Sequence, residues 1–185
     1  MLAMRMFGQT TYGKQFIGSF LNKNQRQYWV KGNGKYSMFT FPILQFDLTN
    51  SKDQFDFMPN IEGSFSVREV NGKLNIVLKL EVKNFSTEEL VETITHELAL
   101  HGSKLNKIIN AYKKGDMDAV NAIFNSDPEE NNEHKDLAKK NSKSLGVRNY
   151  EKTREELVRR NPKLKRIFNK EQKKYEKGFA YKKDK

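Results

Sequence analysis

The sequence predicts an α+β fold, in which a small antiparallel sheet is followed by a histidine-bearing helix and then by a helical C-terminal half. Three observations carry this expectation. Two alternating apolar runs flank Asn71-Gly72, a pair that favours the type I′ turn whose twist matches antiparallel strands. A helix start stands at Ser86, just after the second run. From Ser103 onward the apolar residues recur at helical rather than strand spacing.

In chain order, residues 13–21 are expected to be helical, because Phe16, Ile17, Phe20 and Leu21 recur at i, i+1, i+4 and i+5. Residues 27–30 and 36–48 read as two strands joined through the Lys31-Gly-Asn-Gly-Lys35 turn. Pro42 lacks an N–H, which makes the second of these an edge or bulged strand. Residues 50–60 are polar and contain a proline, so a loop is expected there. The hairpin follows, with Phe65 and Val67 on one strand and Leu74, Ile76, Leu78, Leu80 and Val82 on the other, each set facing one side.

Ser86 with Glu89 three residues later forms a capping box, so the next helix should begin at Thr87. Leu90, Val91, Ile94 and Leu98 define its buried face. At about 100° per residue, Glu97 and His101 fall on or beside that face. A carboxylate and an imidazole there must be hydrogen-bonded, paired or bound to an ion, because burial of an unpaired charge costs several kcal/mol.

Residues 96–101 read His-Glu-Leu-Ala-Leu-His, an HExxxH pattern one residue longer than the HExxH zinc-protease motif. On a straight α-helix, positions i and i+5 are offset by roughly 140°, too far for both rings to meet one metal. One π turn reduces the offset to roughly 50°, so a bulge is predicted between Glu97 and His101. The simpler alternative is an amphipathic helix with two satisfied histidines and a glutamate paired to a lysine such as Lys104.

Ser103 to Lys114 continues as helix and ends at Gly115, and a short helix is expected from Met117 to Phe124. Asp127-Pro128-Glu129-Glu130 is another helix start, with aspartate at the N-cap and proline at N1. This gives Glu130 a structural role, whereas His134, one turn further on, has none. His134 is therefore the preferred third metal ligand, with Glu130 as the alternative and Asp136 still open. Tyr112 and Tyr150 are candidate donors to an oxyanion. Two amphipathic helices, on either side of Asn161-Pro162, complete the chain.

The net charge is +11 and its distribution is uneven. Residues 135–185 hold nineteen Lys and Arg against seven Asp and Glu, and residues 1–134 hold fifteen against sixteen. Such an arm could attract nucleic acid, an anionic membrane surface or an acidic partner, and Tyr175, Phe179 and Tyr181 within it are candidates for base stacking. Cysteine is absent, which excludes disulfides, a thiol nucleophile and a cysteine-ligated zinc site. No signal-peptide pattern or apolar membrane span is read, leaving a cytoplasmic location or export by a non-classical or injection route.

The HELALH segment resembles the HExxxH signature of the dipeptidyl peptidase III family of zinc peptidases. That resemblance covers six residues and implies His96 and His101 as zinc ligands and Glu97 as the residue that activates water. The family takes a third, carboxylate ligand from a later E-E-x-x-x-D segment. Here the corresponding run is Glu129-Glu130-Asn131-Asn132-Glu133-His134, with histidine in place of the aspartate. A weaker similarity, in G-K-Y and T-H-E-L-x-L-H-G, is to compact toxin domains at the C-termini of bacterial Rhs or YD-repeat proteins. The expectation is a zinc-dependent hydrolase, a small metallopeptidase of effector or toxin type acting on a peptide or protein, with a cognate inhibitor or anionic molecule as partner. Its metallopeptidase-like domain would span 1–145, with a basic helical arm, 146–185, packed on it. The alternative is a non-enzymatic basic protein that docks on nucleic acid or another anionic partner through that arm.

Overall fold

The computed structural model describes residues 2–18, 44–49, 63–70, 73–81, 85–125, 128–138 and 144–180. The expected strand over 27–30, the loop over 50–60 and the Asn71-Gly72 turn itself lie outside them. Two helices open the chain, α1 (Leu2–Gly8) and α2 (Thr11–Gly18). Among the described residues three short strands follow: β1 (Leu44–Thr49), β2 (Gly63–Val70) and β3 (Lys73–Glu81). All later elements are helical: α3 (Thr87–Thr95), a π turn (His96–Leu100), α4 (Gly102–Lys113), α5 (Met117–Asn125), α6 (Pro128–Leu137), α7 (Leu145–Arg160) and α8 (Leu164–Ala180).

The α+β class expected from the sequence, with a small antiparallel sheet as its organising layer, is therefore corrected: the described residues are mostly helical. The strands are ordered β1-β3-β2 and are not uniformly antiparallel. β2 pairs antiparallel to β3, with Val70 opposite Lys73 across the Asn-Gly pair, whereas β1 pairs parallel to β3, with Leu44 opposite Ile76. A parallel neighbour needs a crossover connection, and the local turn signals that specify a hairpin contain no information about one. From Ser86 to the end, lysine, glutamate, leucine and alanine dominate over β-branched residues, and their helical propensity outweighs the short strand segments in setting the class.

The chain divides into two compact units, Met1–Glu97 and Leu98–Lys185, with the division inside the π turn. In the first unit α1 packs on α3. Met4 and Phe7 are buried there, as are Val91 and Ile94. Phe7 meets Phe16 edge to face at 6.5 Å, bringing α2 onto α1. α3 starts as its sequence dictates. Ser86 Oγ accepts from the Glu89 N–H at 3.2 Å, and Glu89 Oε2 accepts from the Ser86 N–H at 2.9 Å, so two of the otherwise unpaired donors at the helix start are satisfied.

In the second unit, Leu105 and Ile108 of α4, Val147 and Leu157 of α7, and Leu164 and Phe168 of α8 are fully buried or nearly so. α4 ends where Gly115 takes a left-handed φ of 75°, a conformation that costs a residue with a side chain about 1 kcal/mol or more. Tyr150 of α7 meets Phe168 of α8 edge to face at 6.0 Å, and Arg154 donates to Asn169 at 2.7 Å, so the last two helices form a pair. Gln172 of α8 donates to the carbonyl of Leu137 at 2.8 Å, tying the end of α6 to α8. Among the described residues no helix is long and apolar enough to cross a membrane.

Candidate metal centre

The π turn expected from the HExxxH spacing is present and spans His96–Leu100. In it each residue turns the chain by about 80° instead of about 100°, so His101 comes round to the side of His96 despite the five-residue separation. The helix path is unbroken from Thr87 into α4 apart from the single turn residue His101. His96, Glu97 and His101 are all buried, the last to 2% relative exposure.

α6 supplies the third histidine. One ring nitrogen from each of His96, His101 and His134 lies within 4.8 Å of the other two, and this group of three could hold a metal ion. His96 and His101 are buried and His134 is half-buried, so solvent reaches the group on the His134 side. The His101 and His134 rings meet edge to face, with centroids 4.9 Å apart and planes at 87°. Zinc binds imidazole nitrogens at about 2.0–2.1 Å, which puts two tetrahedral donors about 3.3 Å apart. The separations here exceed that by about 1.5 Å at most. Three neutral imidazoles are donors suited to zinc and its transition-metal neighbours and unsuited to magnesium or calcium, which take oxygen ligands.

A carboxylate stands behind the group. Glu133 Oε2 lies 2.8 Å from His101 Nδ1, and its other oxygen, Oε1, accepts from Ser103 Oγ at 3.0 Å. An ionised carboxylate only accepts, so this contact favours the tautomer with the proton on Nδ1 and the lone pair on Nε2. Glu133 is itself buried, in a space that a glycine makes available. A Cβ on Gly146, in the first turn of α7, would overlap the carbonyl oxygen of Leu100 and come within 2.6 Å of Glu133 Oε1. The missing side chain thus lets α7 approach both the π turn and the carboxylate.

An aromatic ring flanks His134, the most exposed of the three. Tyr175 of α8 stacks on His134, with centroids 5.5 Å apart and planes 11° from parallel. Of the two tyrosines put forward from the sequence as oxyanion donors, Tyr150 is buried to 1% exposure against Phe168 and serves the core, while Tyr112 is half-buried on α4. Lys104, considered as a partner for Glu97, is buried with its ammonium 5.9 Å from the centre of the Phe124 ring.

The structure thus brings together His96, His101 and His134, with Glu97 next to His96 in the same turn. Glu130, the alternative third ligand, lies in α6, but its side chain is outside the described part. Asp136, also on α6, is not one of the three grouped residues. Glu133, Ser103, Gly146 and Tyr175 were not singled out at this centre from the sequence. Glu133 had a faint signal, standing directly before His134 in an acidic run. Comparison with protein-family models, with curated proteins and with solved structures gave no match.

Proposed function

We propose that the chain is a zinc-dependent hydrolase, a small metallopeptidase in which His96, His101 and His134 hold Zn2+ and Glu97 is the general base. The observation that carries this reading is the meeting of all three histidines of the chain within 4.8 Å, reached through a π turn that has a glutamate at its second position. Three imidazole nitrogens brought to one place are a donor set suited to zinc, and a three-histidine set leaves a fourth position for water or substrate. The ion, when bound, would lower the pKa of a water towards about 7 and polarise a carbonyl. Glu97 would accept the proton of that water and deliver it to the departing amine, a transfer worth about 10²–10⁴ in rate. Burial of Glu97 keeps its carboxyl away from bulk water that would otherwise compete for the proton.

The test is elemental analysis joined to hydrolysis of an unstructured protein such as casein. The expected result is about one zinc per chain, and a Glu97→Gln variant that keeps the zinc and loses cleavage by at least about 10²-fold. Wild-type protein that takes up no zinc on titration would sink the proposal.

A second reading, a non-enzymatic basic protein that docks on nucleic acid, has its own support. Arg166, Asn169, Lys170, Lys173, Lys174 and Lys177 line one groove along α8, and a row of cations on one helix face is the electrostatic footprint of phosphate-backbone binding. Affinity for a DNA duplex that falls steeply with salt, unchanged by Glu97→Gln, is the outcome this reading requires.

A further inference from the structure

We infer that Glu133 is a positioning residue for the metal centre: it holds His101 in the Nδ1–H tautomer and aims Nε2 into the three-histidine group. This rests on the metal-site reading proposed above and names the residue that sets one ligand's protonation and direction. Three observations carry it. Glu133 Oε2 and His101 Nδ1 are 2.8 Å apart, with side-chain exposures of 10% and 2%, so water does not compete for the bond. Ser103 Oγ donates to the other carboxylate oxygen at 3.0 Å, which fixes the plane of the carboxylate. The contact is built in from a third element, because any residue but glycine at position 146 would press on Glu133 Oε1.

The chemistry follows from the two nitrogens of the ring. A free neutral imidazole exchanges its proton between them, and only the deprotonated nitrogen can bind a metal. A buried carboxylate at Nδ1 removes the ambiguity, raises the basicity of Nε2 and stops ring rotation, so the ligand is oriented before the ion arrives. Glu133 and its neighbour His134 share one turn of α6, so this helix contributes a ligand and also buttresses a ligand from another helix.

Zinc affinity is to be measured by competition with a chromophoric chelator for wild type, Glu133→Ala, Glu133→Gln and Ser103→Ala. In parallel, the His101 tautomer is read in metal-free protein by long-range ¹H–¹⁵N NMR at mildly alkaline pH. Glu133→Ala is expected to bind zinc about 10–100-fold more weakly and to lose the Nδ1–H signature of His101. Glu133→Gln keeps an acceptor without the charge, so it should retain the tautomer and recover part of the affinity. Ser103→Ala keeps the whole His101 contact and covers the case in which the position-133 variants do not fold; it should cost a few-fold in affinity. Wild-type zinc affinity and an unchanged His101 tautomer in Glu133→Ala would overturn the inference and leave the metal site standing. A His101 that carries its proton on Nε2 in the wild type would overturn it equally. Absence of zinc binding by the wild type would remove the metal-site reading itself, and this inference with it.

Discussion

Glu133 and His101 are 32 residues apart in the chain, yet the carboxylate oxygen and the imidazole nitrogen sit 2.8 Å from each other in a buried contact. A charged acceptor facing a ring N–H away from water is among the stronger hydrogen bonds a protein makes. The same carboxylate occupies the space left by Gly146, and its neighbour His134 completes the histidine group. One turn of α6 therefore joins the π turn, α4 and α7 at a single point.

The third ligand can be decided by substitution. His134→Ala should weaken zinc binding by more than the roughly 10–100-fold expected for an outer-sphere change, whereas Glu130→Ala should leave it within about threefold. Chelator competition gives both numbers. Thermal melts give an independent check, since zinc at about 100 times its Kd should stabilise wild type by about 2.7 kcal/mol and His134→Ala far less. Equal losses in the two variants would return Glu130 to the ligand set.

Gly146→Ala should be costly well beyond a normal surface change. The new methyl group would collide with the Leu100 carbonyl and the Glu133 carboxylate, and overpacking of this kind costs about 1–3 kcal/mol. Urea denaturation followed by circular dichroism measures the loss. A drop in zinc affinity should accompany it, because Leu100 directly precedes His101 and Glu133 contacts its ring. Stability and affinity equal to wild type would show that α7 does not approach the turn as described.

Tyr175→Ala removes the ring stacked on His134. Aromatic pairs contribute about 0.5–1.5 kcal/mol beyond their buried area, so zinc affinity should fall about 3–10-fold. Tyr175→Phe keeps the stack and should bind zinc as wild type does. If Tyr175→Phe keeps zinc yet loses cleavage, the phenol acts on substrate and the ring's role is more than support.

Ser86→Ala should destabilise the first unit by about 1 kcal/mol, the usual loss for an N-cap. The bond from the Glu89 N–H to Ser86 Oγ would go, as would that from Ser86 Oγ to Glu89 Oε2. The metal centre begins ten residues further along, so zinc affinity should not change in the folded protein. Denaturant titration monitored by helical signal tests the first expectation and chelator competition the second.

Local chemistry was sufficient for much of this chain. The Ser86–Glu89 box specified where α3 begins, Pro128 marked the first turn of α6, and the Asn71-Gly72 pair implied the pairing of β2 with β3. The π turn was legible for a geometric reason: two histidines five positions apart cannot lie on one side of an α-helix, but one wider turn can bring them there. What no local pattern contained was contact between distant segments. The parallel pairing of β1 with β3, the mostly helical class, the Glu133 buttress, the glycine that admits it and the tyrosine stacked on His134 all depend on how helices and strands pack once formed. Capping and turn preferences act over three or four residues, and so the sequence by itself determined where helices start and how the histidine turn is wound. Side-chain burial and close approach act across tens of residues, and only the tertiary structure could decide which carboxylate stands behind His101 and which ring covers His134.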